Sequence, residues 1–155
     1  MNLSSEIQLL AYCLMPNHFH LLAQQIYSDS ITKLLRRVAT SYVTYFNRKY
    51  RRKGTLFQNI YKAVLIDDPH RLLHLSRYIH LNPVATKKIG PLLTSASPAD
   101  YPYSSYQKYL GLANPDWLNT HILISLLPTS HPSYQAFVED RQLDSTPLIK
   151  SLTLE

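Results

Sequence analysis

The chain reads as an α+β (α/β) protein in two layers: an antiparallel sheet with helices on one face, ferredoxin-like, followed by a C-terminal helical appendage. Three observations predict this. Two apolar runs, Ile7 to Leu14 and His18 to Gln25, flank the turn-forming Met15-Pro16-Asn17 and should pair as a hairpin. A long segment with helical spacing of its apolar residues follows them. Strands and helices then alternate too irregularly for a doubly wound parallel sheet. With 155 residues there is enough chain for one well-filled core plus an appendage, expected as 1–112 and 113–155.

The first helix should start at Ser28 or Ser30 as N-cap and run to about Tyr50. Its apolar positions Ile31, Leu34, Leu35, Val38, Tyr42, Tyr45 and Phe46 should form the buried stripe. Leu56 to Ile66 is rich in β-branched and aromatic residues and predicts at least one further strand. Asp67 or Asp68 caps the next helix, with Pro69 at its first position, and Pro83 should stop it at about Leu81. Leu72, Leu75 and Ile79 make its core stripe. The stretch from Lys87 to Asp100 reads as loop, and a short helix leads to Gly111. Trp117 to Leu127 and Tyr134 to Leu143 read as two amphipathic helices, and the last dozen residues as loosely held.

Charge is concentrated. Eight of the sixteen Lys and Arg residues, Lys33, Arg36, Arg37, Arg48, Lys49, Arg51, Arg52 and Lys53, fall in one stretch, and no Asp or Glu lies between Asp29 and Asp67. Such a block suits a polyanion better than a solvated helix face of mixed sign. Tyrosines beside it, Tyr42, Tyr50 and Tyr61, are candidates to stack on unpaired bases, although Tyr42 falls on the expected core stripe. Cys13 is the single cysteine, so neither an internal disulfide nor a cysteine zinc cluster can form, as is usual in the cytoplasm. The longest N-terminal apolar run, Leu9 to Met15, is too short to span a bilayer.

Two patterns carry chemistry. His18 and His20 are one residue apart in an expected strand, so their side chains share a face, with Cα atoms roughly 6.6–7 Å apart. They can grip a metal from one side while Phe19 anchors the opposite face in the core. The bland alternative is a pair of half-exposed polar residues. On the second helix His70, His74, Tyr78 and Asn82 recur at spacing four, neighbours on one face. Tyr78 and Asn82 can reach one point in space; equally, Tyr78 is an ordinary helix aromatic and Asn82 a C-terminal cap. His70 and His74 are surface residues or lie near substrate, and His80 points away and is structural.

The ordered set Tyr12, Met15-Pro16-Asn17-His18-Phe19-His20-Leu21-Leu22, Tyr78-Ile79-His80-Leu81-Asn82-Pro83-Val84, Tyr101-Pro102-Tyr103-Ser104-Ser105-Tyr106 and Tyr109-Leu110-Gly111 resembles the HUH-type tyrosine transposases, specifically the REP-associated, IS200-like branch. The resemblance runs from about residue 9 to 111. It implies that His18 and His20 bind a divalent metal, Mg2+ or Mn2+, that Asn82 completes the site, and that Tyr78 is the nucleophile. Ligand softness alone would suit zinc or manganese. The implied substrate is single-stranded DNA beside a REP-like hairpin, cleaved and rejoined through a 5′-phosphotyrosine, with Lys33 to Lys53 on the phosphates. The implied enzyme is cytoplasmic, off the membrane, and a monomer or homodimer.

Members of that family generally carry an earlier strand and helix. The chain begins about six residues before its hairpin, so a truncated or decayed copy, or a start site assigned too late, is expected, with an exposed edge strand open to pairing with a second chain. A module that holds nucleic acid without cutting it is the alternative function. A metallohydrolase using activated water is a third.

Overall fold

Residues Ile7–Leu14 and Phe19–Gln25 pair antiparallel as β1 and β2, closed at the turn by the Met15 N–H donating to the His18 carbonyl at 2.8 Å. The computed structural model describes residues 3–58, 60–85, 97–150 and 152. Among the described residues six helices follow the hairpin: α1 Ser30–Lys49, α2 Pro69–Ala85, α3 Tyr106–Tyr109, α4 His121–Ser125, α5 Tyr134–Glu139 and α6 Thr146–Ile149, with a 3-10 turn at Pro98–Asp100. The protein is therefore α+β. Among the described residues this hairpin is the whole of the ferredoxin-like sheet expected. The chain divides into two units, one of Met1–Ile7 and Gln25–Ala63, the other of Gln8–Gln24 and Val64–Glu155.

The larger unit is built around α2. Asp68 caps it, accepting the Arg71 N–H at 2.8 Å, with Pro69 at the first position as expected. That bond is the main reason the Asp68 carboxyl sits below its usual range. Leu73, Leu75, Ile79, His80 and Pro83 are all buried, so α2 is covered on nearly every side, by the 3-10 turn and by α4, α5 and α6. It does not stop before Pro83 but continues to Ala85. Pro83 forgoes the bond to the Ile79 carbonyl, but only two helical residues follow it, so the interruption falls at the helix end; the Asn82 side-chain amide reaches the Tyr78 carbonyl at 3.4 Å.

The core joins Leu10, Ala11, Cys13 and Leu22 of the hairpin to Leu73 and Ile79 of α2 and to Leu123, Phe137, Ile149 and Leu152. The residues after 112 thus belong to the same core as the hairpin. The expected helices there shorten to α4 and α5, with Pro128 and Pro132 in the segment between them, and α6 is additional. Ile149 and Leu152 are buried, so this part of the terminal dozen is packed down rather than loose. Of the expected Lys87–Asp100 loop, residues 87–96 lie outside the described residues.

The outer side of β1 is occupied by the chain itself. Leu9 bridges to Leu118 and Cys13 to Ser104, with the Leu14 N–H donating to the Tyr103 carbonyl and the Asn119 N–H to the Leu9 carbonyl. The open edge expected from sequence is thus covered on this strand. The Tyr-Pro-Tyr-Ser-Ser-Tyr segment owes its composition to the same strand. Tyr101 donates its hydroxyl to the Leu14 carbonyl and Tyr109 to the Leu10 carbonyl, each at 2.6 Å.

His80 is fully buried and links these parts. Its Nε2 lies 2.7 Å from Ser105 Oγ and its Nδ1 2.9 Å from Tyr134 Oη, while Tyr134 donates to Ser76 and Ser76 to the Leu73 carbonyl. Tyr134 has only one proton, spent on Ser76, so it accepts from His80 Nδ1–H. His80 Nε2 is then the acceptor for the Ser105 hydroxyl, whose oxygen in turn accepts the Tyr12 N–H at 2.8 Å. Burial holds the imidazole neutral, its pKa pushed down to about 3.

The smaller unit holds α1. Its N-cap is Asp29 rather than Ser28 or Ser30, and Gln25 Oε1 takes the Ile31 N–H at 3.2 Å. Ser30 is the buried residue of α1; Val38, Tyr42 and Tyr45 are about half exposed, so the expected buried stripe is not one. The segment from Leu56 to Ile66 forms no strand among its described residues. Instead an extended strap returns along α1, Gly54 to Asn47, Phe57 to Tyr42 and Tyr61 to Thr32. Extended propensity is met without a neighbouring strand to complete a ladder.

An unfolded His80 binds a proton near pH ~6.5, and the folded one only near 3, so stability present above pH ~6.5 is lost as pH falls. Urea melts from pH 7 to 4 should show a loss approaching roughly 1.4 kcal/mol per pH unit from this group, absent in His80→Gln. Tyr109→Phe strands the Leu10 carbonyl and should cost about 1–2 kcal/mol in the same assay.

Candidate active site

The exposure of β2 grades outward along one face. Leu22 is buried, His20 half-buried and His18 exposed at the turn, because the face that enters the core at Leu22 leaves it at the hairpin mouth. Phe19, on the other face, is 37% exposed, so it does not anchor the core as the alternation suggested; Leu22, on the histidine face, does.

The two imidazoles converge. His18 Nε2 and His20 Nε2 are 3.1 Å apart, with the rings edge to face at 4.9 Å. Asn17 Oδ1 lies 2.7 Å from His18 Nδ1 and accepts its proton, which leaves the Nε2 lone pair directed at the gap. Sequence reading had given Asn17 only a turn role; its position directly before the histidine was the available signal. Two nitrogens bound to one ion at about 2.1 Å are about 3.0 Å apart at a right angle and about 3.4 Å apart at the tetrahedral angle. The observed separation falls between, so the pair fits a shared divalent metal. Among the described residues no group of three His, Cys, Asp or Glu side chains is placed to hold one. The remaining positions would fall to an amide, water or phosphate oxygens.

Tyr78 stands on the flank of α2 next to the inward-facing Ile79, half-buried, with its ring 5.9 Å from that of His20 and nearly perpendicular to it. Asn82, one turn on and 5% exposed, is tied to the Tyr78 carbonyl. That bond uses its Nδ2; the atom of this amide able to ligate a metal is Oδ1. His18, His20 and Tyr78 therefore meet at one rim of the larger unit, and Asn82 follows Tyr78.

The other half of the spacing-four ladder turns elsewhere. His74 is buried, 2.9 Å from Ser145 Oγ and stacked on the exposed His70 at 5.0 Å. Burial, then the neighbouring His70 and Arg77, holds its pKa below the usual histidine value. Arg77 donates to the Phe137 and Asp140 carbonyls, so this end of α2 secures the C-terminal helices. His80 is structural, as expected.

The basic residues lie in the smaller unit. Lys33 is paired with Glu6 at 3.0 Å and Asp29 at 3.2 Å, which compensates its charge. Arg36, Arg37, Arg48, Lys49, Arg51, Arg52 and Lys53 are exposed. Arg48 and Lys49 occupy the last turn of α1, where the helix dipole favours cations.

No helix among the described residues is long and apolar enough to cross a membrane. Neither the curated proteins nor the solved structures offer a match to the chain. A family model described as "Transposase IS200 like" does match, over residues 1–82. That span exceeds half of the 155 residues and takes in His18, His20, Tyr78 and Asn82. The chain belongs to the IS200-like transposase family.

Proposed function

We propose that this transposase cleaves and rejoins single-stranded DNA next to a hairpin by metal-dependent transesterification, with Tyr78 as nucleophile and His18, His20 and Asn82 as metal-holding residues. The observation that carries the reading is the convergence of the two Nε2 atoms, 3.1 Å apart, on the rim where the Tyr78 ring stands. A divalent ion held there would supply Lewis acidity to a non-bridging phosphate oxygen; two imidazoles favour Mn2+ over Mg2+.

The chain's own residues do the rest. Asn17 fixes the His18 ring with Nε2 presented to the gap. A free phenol has a pKa near ~10, so Tyr78 gives up its proton as its oxygen attacks phosphorus. The bond to the 3′ oxygen breaks, that oxygen takes a proton, and the 5′ phosphate stays on Tyr78. The phosphodiester energy is kept in the tyrosyl ester, so the reverse attack by a 3′ hydroxyl rejoins DNA without a nucleotide cofactor. Asn82 Oδ1 is the candidate third ligand. Exposed Arg and Lys residues from Arg36 to Lys53 are the candidate phosphate contacts, which makes binding salt-dependent.

Incubating the full chain with a labelled hairpin-bearing single strand and Mn2+ should give a covalent adduct on a denaturing gel. Tyr78→Phe should abolish it, and His18→Ala or His20→Ala should lower its rate at least about a hundredfold. An adduct that persists in Tyr78→Phe removes the nucleophile assignment. Cleavage that proceeds in Tyr78→Phe without an adduct points instead to activated water.

A further inference from the structure

Three rings stand at spacing four along one face of α1 and onto its C-cap: Tyr42, Phe46 and Tyr50. Phe46 lies 5.9 Å from Tyr42 and 4.4 Å from Tyr50, measured between centroids. Tyr42 and Tyr50 are 47% and 54% exposed. Large rings in a row at a helix end are ordinarily buried, and these are not.

Cations are interleaved with them. Lys49 Nζ sits 5.5 Å from the centre of the Tyr50 ring, and the Arg52 guanidinium 5.7 Å from that of Phe46. This charge pattern says what covers the face. An apolar protein partner would have to strip water from these cations, whereas a polyanion with flat rings satisfies both features at once.

The backbone gives a second, independent observation. The helix ends in a Schellman arrangement, the Arg52 N–H donating to the Asn47 carbonyl and the Arg51 N–H to the Arg48 carbonyl. The residue in the left-handed position is Arg51, at φ +51°, where glycine is the usual occupant. Asn47 Nδ2 in turn holds the Gly54 carbonyl at 2.8 Å, which fixes the turn bearing Arg51 and Arg52 against the helix end. A strained arginine is kept where the fold alone would favour glycine, and strain of this kind marks a site used for something else.

We propose that the Tyr42–Phe46–Tyr50 face, with Lys49, Arg51 and Arg52, is a stacking platform for unpaired nucleotides of single-stranded DNA. Bases lie on the rings while the adjoining cations meet the phosphates. From residue 42 to residue 50 the helix rises about 12 Å, room for about three stacked bases. The inference rests on the transposase reading only in choosing DNA over RNA. It does not depend on Tyr78 or a metal.

The test uses the full chain in EDTA, so no cleavage intervenes, and fluorescence anisotropy of labelled dT12, of the same length of duplex, and of U12. Tyr42→Ala with Tyr50→Ala should weaken dT12 binding by about thirtyfold or more and leave duplex binding nearly unchanged. The pair Tyr42→Phe with Tyr50→Phe should bind as the parent does. Arg51→Gly should raise the melting temperature yet weaken dT12 and lower the salt slope by about 1. Unchanged dT12 affinity in the alanine pair, with circular dichroism intact, overturns the platform, as does equal affinity for duplex; tighter binding of U12 than dT12 overturns the choice of DNA. Failure to form a covalent adduct while these binding results hold would sink the transesterase reading alone.

Discussion

Much of the structure depends on how α2 is rotated about its own axis, and His80 is what sets that rotation. Its imidazole is clamped between Ser105, itself bonded to the β1 backbone at Tyr12, and Tyr134 on α5. Tyr78 is two residues earlier, about 200° around the helix. With His80 locked inward, Tyr78 is turned outward to the rim where β2 brings His20. A buried neutral histidine with both nitrogens satisfied is a costly thing to disturb. The nucleophile candidate therefore owes its direction to a residue that never meets the substrate.

The same clamp explains why the later part of the chain is needed by the earlier part. Ser104, Tyr101 and Tyr109 donate their hydroxyls to β1 carbonyls, Ser105 Oγ accepts the Tyr12 N–H of the same strand, and α5 closes the other side of His80. The hairpin carrying the two metal-binding candidates is short, and two strands alone are marginal. Packing from residues 101–152 supplies what further strands supply in a larger sheet.

The sequence made part of this legible. The hairpin and the start of α2 were readable because turn and cap chemistry are local: Pro16-Asn17 forces a reversal, and Asp68 with Pro69 opens a helix wherever it is placed. His18 and His20 on one face followed from strand alternation. What failed were inferences needing tertiary context. The stripe on α1 has helical spacing, yet Val38, Tyr42 and Tyr45 stay about half exposed, so spacing alone did not bury it. Pro83 sits in a final turn that tolerates it, and the 56–66 segment has extended propensity without a strand partner among the described residues. The ladder from His70 to Asn82 split because His74 turns toward Ser145, a residue 71 positions away that no local pattern could supply. Arg51 at positive φ had no signature short of the backbone itself.

The central claim is that two imidazoles and one phenol share a single metal-and-phosphate site. Side-chain NMR of the full chain during addition of substoichiometric Mn2+ tests it most directly, since paramagnetic broadening falls steeply with distance. The account predicts that His18 and His20 broaden first and Tyr78 with them, while His70 and His131 keep their linewidths. Broadening centred on other histidines, or a Tyr78 signal untouched while His18 and His20 vanish, would contradict it.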